Sequence, residues 1–149
     1  VQVELAKEKA EAMGIELEEA TVSNSSEVSL AVSSLVDSVD AIYVPTDNII
    51  VSAMPTVLQT AHNRKIPVFA SENNSVKQGA IATLGIDYYQ LGRQTGSMAV
   101  RILNGADPAE MPVESSKELK LYINKSAAES IELEIPAELL ENADTIFED

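Results

Sequence analysis

Apolar and polar positions along this chain alternate between two rhythms. Three short, continuously apolar runs, Ala41-Ile-Tyr-Val44, Ile66-Pro-Val-Phe-Ala70 and Ala80-Ile-Ala-Thr-Leu84, predict buried strands, and Leu119-Lys-Leu-Tyr-Ile123 predicts a last one. Ile15 to Val22 alternates apolar with acidic positions, the pattern of a strand near a sheet edge. Between these runs the spacing changes to that of helices. Leu5, Ala6, Ala10 and Met13 lie on one side of a helix from Val1 to Met13 that stops at Gly14. Val28, Ala31, Val32, Leu35 and Val36 make one stripe, and Ile50, Ala53, Met54, Val57, Leu58 and Ala61 make another. Leu91, Thr95, Ala99, Ile102 and Leu103 mark a further helix, ended by Gly105 and Pro108. Short helices follow at Lys125–Ser130 and Pro136–Ala143, and the acidic tail is expected to fray.

Local signals agree with these elements. Asn24 and Glu27 have the spacing of a capping box. Pro55 falls inside the third helical stripe and should bend or loosen its first turns. Strand and helix alternate in units of roughly 20–25 residues, as in a parallel sheet covered on both faces. The expected fold class is therefore α/β, a three-layer doubly wound parallel sheet, with residues 1–149 as one domain. The pattern begins with a helix. A leading strand is expected to be missing, which would leave an apolar slot for a partner chain.

Composition narrows the chemistry. The net charge of −14 argues against nucleic acid or an anionic membrane surface as partner. The absence of cysteine removes disulfides, thiol catalysis and thiolate metal sites. His62 is the single histidine, expected to be exposed near a helix end, so neither a metal cluster nor a Ser-His-Asp triad has much to build on. No stretch reaches the length of a membrane-spanning helix. The chain opens without Met inside a helical pattern and reads as a piece of something longer.

Candidate chemistry sits where apolar strands end in polar residues. Thr46-Asp47-Asn48, Ser71-Glu72-Asn73 and Gly85-Ile86-Asp87-Tyr88 follow three such strands. In a parallel α/β sheet these tips share one edge, where ligands collect. Together they offer carboxylates for a cationic amine, hydroxyl and amide groups, and the Tyr88 ring for an apolar or aromatic body. Helix capping alone would also explain Asp47 and Asn48, and solvation would explain Glu72. No phosphate loop, nucleophile–base motif or metal spacing accompanies the carboxylates. Gly92 and Gly96 fall within a helix, where close helix packing is expected. No catalytic residue, cofactor or metal is expected, and binding is favoured over turnover.

Val39-Asp-Ala-Ile-Tyr-Val-Pro-Thr-Asp-Asn48, Lys65-Ile-Pro-Val-Phe-Ala70 and Gly79-Ala-Ile-Ala-Thr-Leu-Gly-Ile-Asp-Tyr-Tyr-Gln-Leu-Gly92 closely resemble ABC-transporter substrate-binding proteins, of the kind that includes bacterial tryptophan/tyrosine-binding lipoproteins. Met111-Pro-Val113 and Leu121-Tyr-Ile-Asn124 extend the resemblance over nearly the whole chain. The resemblance implies one lobe of a type I periplasmic-binding-protein fold, the C-terminal ligand-binding lobe. Residues 88–118 would then cross toward a missing N-terminal lobe, and the helix from Tyr88 to Asn104 would project or pack on a second copy as a homodimer. It further implies capture of an amino acid, with Trp or Tyr favoured, and delivery to an ABC permease. Asp47, Glu72 or Asp87 would hold the α-ammonium, Tyr88 would face the side chain, and Thr46, Asn48 and Ser71 would complete the ligand contacts, with Ser25 and Ser26 at the rim. The protein would be an extracellular membrane-anchored lipoprotein or periplasmic, and not an enzyme. The main alternative is a ligand-sensing domain of a regulator or receptor with the same fold. A flavodoxin-like domain and a metal-binding regulatory role for the acidic tips rank lower.

Overall fold

The computed structural model describes residues 2–116 and 118–148, which leaves out Val1, Lys117 and Asp149. Helix α1 (Gln2–Met13) is Lys/Glu-rich and buries only Ala10. A 3-10 turn at Ser25–Glu27 leads into α2 (Val28–Leu35), which buries Val28 and Val32. The turn is capped reciprocally: Asn24 accepts from the Ser26 amide, while Glu27 accepts from Asn24 Nδ2 at 2.7 Å and from the Ser23 amide at 2.8 Å. Strand β1 (Ile42–Val44) precedes α3 (Asn48–Ser52) and α4 (Met54–His62). The expected bend at Pro55 is a full break at Ala53, which places the proline in the first turn of α4, where its missing N–H has no helical partner to lose.

Strand β2 (Val68–Ala70), α5 (Asn73–Gln78) and β3 (Ala82–Ile86) follow. Helix α6 (Tyr88–Leu103) then leaves the sheet, and the chain returns as β4 (Leu119–Asn124). Helices α7 (Lys125–Ser130) and α8 (Ala137–Glu141) lead to β5 (Thr145–Phe147). β1 pairs parallel with β2, and β4 pairs parallel with β5. β3 and β4 run antiparallel, because the chain that leaves along β3 comes back along β4 after the α6 excursion. Ile81 stitches the two sets together: its N–H donates to Val68 O at 2.7 Å and its carbonyl accepts from Asn124 N at 2.8 Å.

The main core lies on one face of this mixed sheet. Ile42 and Val44 of β1 and Val68 and Ala70 of β2 pack with Val32 of α2 and with Met54, Val57, Leu58 and Ala61 of α4. A smaller cluster of Ile81, Ala127, Ala128 and Ile131 seats α7. Asn124 ties the two together. Its Nδ2 donates to Val76 O and its Oδ1 accepts from the Ala127 amide, both at 2.8 Å.

Four local expectations need correction. Ile15 to Val22 forms no strand and joins no ladder among the described residues; β1 pairs with β2 alone. The acidic tail is not simply frayed: Thr145–Phe147 pairs with Tyr122–Asn124, and Phe147 packs against the core. Gly92 and Gly96 have no helix packed on them among the described residues, since a Cβ at either would meet nothing within 4 Å. His62 is half-buried rather than exposed, with an Nε2 that is shut off from solvent and accepts or donates nothing among the described residues.

Candidate functional site

The polar tips form through a device used three times. Each strand ends in an acidic residue with extended backbone, and that side chain closes the first turn of the next helix. Asp47 Oδ1 accepts from the amides of Ile49 at 2.8 Å and Ile50 at 3.1 Å. Glu72 accepts from Asn74 N at 2.7 Å and Ser75 N at 2.6 Å, and from the Ser75 hydroxyl. Asp87 Oδ1 accepts from Tyr89 N at 3.0 Å and Gln90 N at 3.1 Å. Capping therefore occupies all three carboxylates, because the first amides of a helix have no partner inside it.

What remains differs from one tip to the next. Glu72 is 7% exposed and both its oxygens are engaged. Asp87 spends Oδ1 on the cap and Oδ2 on Lys120 Nζ at 2.8 Å. Hydrogen bonding to Lys120, and next to the Gln90 amide, holds the Asp87 carboxyl below the usual carboxylate range, and Asp87 raises Lys120 in turn. Asp47 is half-buried, and its Oδ2 accepts nothing among the described residues. Only at Asp47 is a carboxylate oxygen left over.

The strand order brings the tips side by side. Thr46 Oγ1 and Ser71 Oγ lie 2.9 Å apart, joining the ends of β1 and β2, and Ser71 Oγ also reaches Val44 O at 3.2 Å. A Cβ at Gly85 would sit 3.8 Å from Ser71 O, an ordinary contact distance that puts the end of β3 beside the Ser71 tip. Asn48 begins α3 with its side chain in solvent, and Tyr88, 52% exposed, stands free at the start of α6. Ser25 and Ser26 are exposed on their turn. Lys120 and Ser75 are the side-chain partners of the tips that sequence reasoning missed; the signal for Lys120 was a lone lysine in an otherwise apolar strand.

A polar groove of about 490 Å³ lies elsewhere, along α6, beside Arg93, Gln94, Arg101, Glu114 and Glu118. Glu114 there is already held by Gln94 and Arg101. Its lining side chains belong to α6 and to residues 114–118, and none of the strand-tip residues lines it. Among the described residues no group of three or more His, Cys, Asp and Glu is placed to hold a metal ion. None of the described helices is long and apolar enough to cross a membrane.

Comparison with known proteins places the chain among characterised relatives. The chain is 41% identical over 134 residues to a tyrosine-binding protein of Clostridioides difficile, a match covering 90% of this chain and 39% of that protein. It superposes with a TM-score of 0.91 at 37% identity on an ABC domain in complex with L-Trp from Streptococcus pneumonia, covering 98% of this chain and 50% of that one. With the ligand-free, open structure of a substrate binding protein with adhesive properties from Clostridium difficile the TM-score is 0.77 at 40% identity, covering 99% of this chain and 50% of that one. The chain thus spans half or less of the length of the relatives it matches. The profile of the ABC transporter substrate binding protein family matches residues 1–147, and on this footing the chain belongs to that family, with the mixed α/β architecture of its periplasmic-binding-protein relatives.

Proposed function

We propose that these strand tips form one wall of an amino-acid clamp, in the substrate-binding component of an ABC importer. One observation carries the reading: Asp47, next in sequence to Thr46 of the paired Thr46 and Ser71 hydroxyls, keeps a carboxylate oxygen that accepts nothing among the described residues. That oxygen takes the α-ammonium of the ligand. Thr46, Asn48 and Ser71 supply hydrogen bonds around it. Glu72 and Asp87 shape the wall through the helices they cap, and Tyr88 offers its ring to the ligand side chain. An aromatic amino acid, tryptophan or tyrosine, is the favoured ligand, in keeping with the tyrosine-binding and L-Trp-bound relatives.

The other wall comes from a second lobe, and residues 88–118 pass toward it. The absence of any buried residue on α6 supports this, since an amphipathic helix needs a surface to cover it. Closure of the two lobes would exclude water from the ligand, and the closed complex would deliver it to a membrane permease from the extracellular or periplasmic side. The protein binds and releases its ligand without chemical conversion.

Asp47→Asn separates the two duties of this residue. Asparagine caps a helix about as well as aspartate but carries no charge for the ammonium. In the two-lobed protein, calorimetry with L-Trp and L-Tyr should show affinity falling by roughly 10- to 100-fold, the cost of a lost charge-assisted hydrogen bond. Thermal stability should be unchanged. No heat with any amino acid, or full affinity in Asp47→Asn, would sink the reading.

A further inference from the structure

Two stretches of chain connect α6 to the sheet: the end of β3 going out and the start of β4 coming back. Their last ladder pairs are Gly85 with Lys120 and Ile86 with Leu119. Beyond this two-stranded neck, no residue of α6 is buried. The described contacts that orient the helix lie at the neck and along the returning stretch, where Gln94 and Arg101 hold Glu114 and Gln94 also reaches the Ser115 carbonyl. One side-chain ion pair spans the neck itself. Asp87 Oδ2 meets Lys120 Nζ at 2.8 Å while Oδ1 of the same carboxylate holds the first turn of α6. A single group thus joins the outgoing strand, the helix start and the returning strand.

We infer that the Asp87–Lys120 pair is a strut that fixes the angle at which α6 leaves the sheet, with Lys120 as its positioning residue. The inference deepens the clamp reading, on which rests its consequence that the strut biases the balance between open and closed lobes. An ordinary surface ion pair would do little, because two mobile chains must be immobilised to form it. Here one partner is immobile beforehand. The Asp87 side chain is 13% exposed and already held by two backbone amides, so only the lysine loses freedom on pairing, and its side chain is 35% exposed. Rotation about the backbone of Ile86 and Asp87 would swing α6 and pull the carboxylate from the ammonium.

The chain contains no cysteine, which makes a clean test available. Spin labels on Ser97→Cys of α6 and Ser34→Cys of α2 report the distance from helix to sheet by pulsed electron paramagnetic resonance, without any ligand. The parent pair should give one narrow distribution. Lys120→Met should widen it and shift its mean, and Lys120→Arg should restore it. Asp87→Asn keeps the helix cap, loses the charge, and should match Lys120→Met; combining the two should add nothing further. A parent-like distribution in Lys120→Met or in Asp87→Asn would overturn the strut, as would a shift that Lys120→Arg leaves in place. Because no amino acid is present, this outcome is independent of the calorimetry on Asp47→Asn, so either reading can fail without the other.

Discussion

Helices α4 and α6 are both amphipathic, yet the fold treats them in opposite ways. The nine-residue α4 buries Met54, Val57, Leu58 and Ala61 against the sheet. The sixteen-residue α6 has no fully buried residue, only Leu91, Gln94 and Met98 half-buried, and Leu103 near its end is 85% exposed. Apolar periodicity states that a helix has a face to cover; it does not state what covers it. In α4 the cover lies in the same chain, in β1 and β2. In α6 the cover is a surface we assign to a second lobe.

The strongest way to break this contrast is to cut back one side chain in each helix. Met54→Ala should cost about 2–5 kcal/mol, since it empties a site with no solvent access. Leu103→Ala should change stability by less than about 0.5 kcal/mol. Urea unfolding followed by circular dichroism measures both, and equal losses would mean that α6 is packed as firmly as α4.

A smaller effect sharpens the contrast at the helix starts. Glu72 caps α5 from within the core, whereas Asp107 accepts from Ala109 N at 2.9 Å in an exposed 3-10 turn, Pro108–Glu110, just beyond α6. Glu72→Ala should cost about 1–2 kcal/mol, as loss of a cap does when buried amides are left without a partner. Asp107→Ala should fall toward the low end of capping losses, about 0.5 kcal/mol, because water replaces it.

The smallest expected effect is a pH dependence. Burial lowers the pKa of His62 in the last turn of α4 below its usual 6.5. The folded chain therefore binds the proton less readily than the unfolded one, so stability is highest above pH 6.5 and declines as pH falls through that value toward the folded pKa. His62→Gln should flatten the melting temperature between about pH 7.5 and 5.5. On the α6 side the slope lies elsewhere: Asp87 is depressed by Lys120, so its contribution is full above its ordinary 3.8 and is lost only as pH falls below that, through the folded value. A stability change near neutral pH that survives His62→Gln would leave the histidine without this role.

The tips were legible as positions and less so as partners. Thr46, Asp47, Ser71, Glu72 and Asp87 follow apolar runs, and that order alone put them at strand ends. Their hydrogen bonds could not be read there, because the number of lone pairs an Asp keeps depends on where the next turn of backbone lies. The sequence could not separate Asp47, with one oxygen to spare, from Glu72, with none. Nor could it pair Asp87 with Lys120, 33 positions later, since that contact exists only because β4 returns beside β3.

Alternation of apolar runs with helical stripes determined the α/β class, the helix faces and the strand ends, because both periodicities are local properties of the backbone. Motif resemblance determined the family. Tertiary structure alone decided the antiparallel return of β4, the pairing of Thr145–Phe147 on its edge, and the unpaired state of Ile15 to Val22. Each depends on which strand lies alongside, and a strand's pattern carries its burial but not the identity of its neighbour.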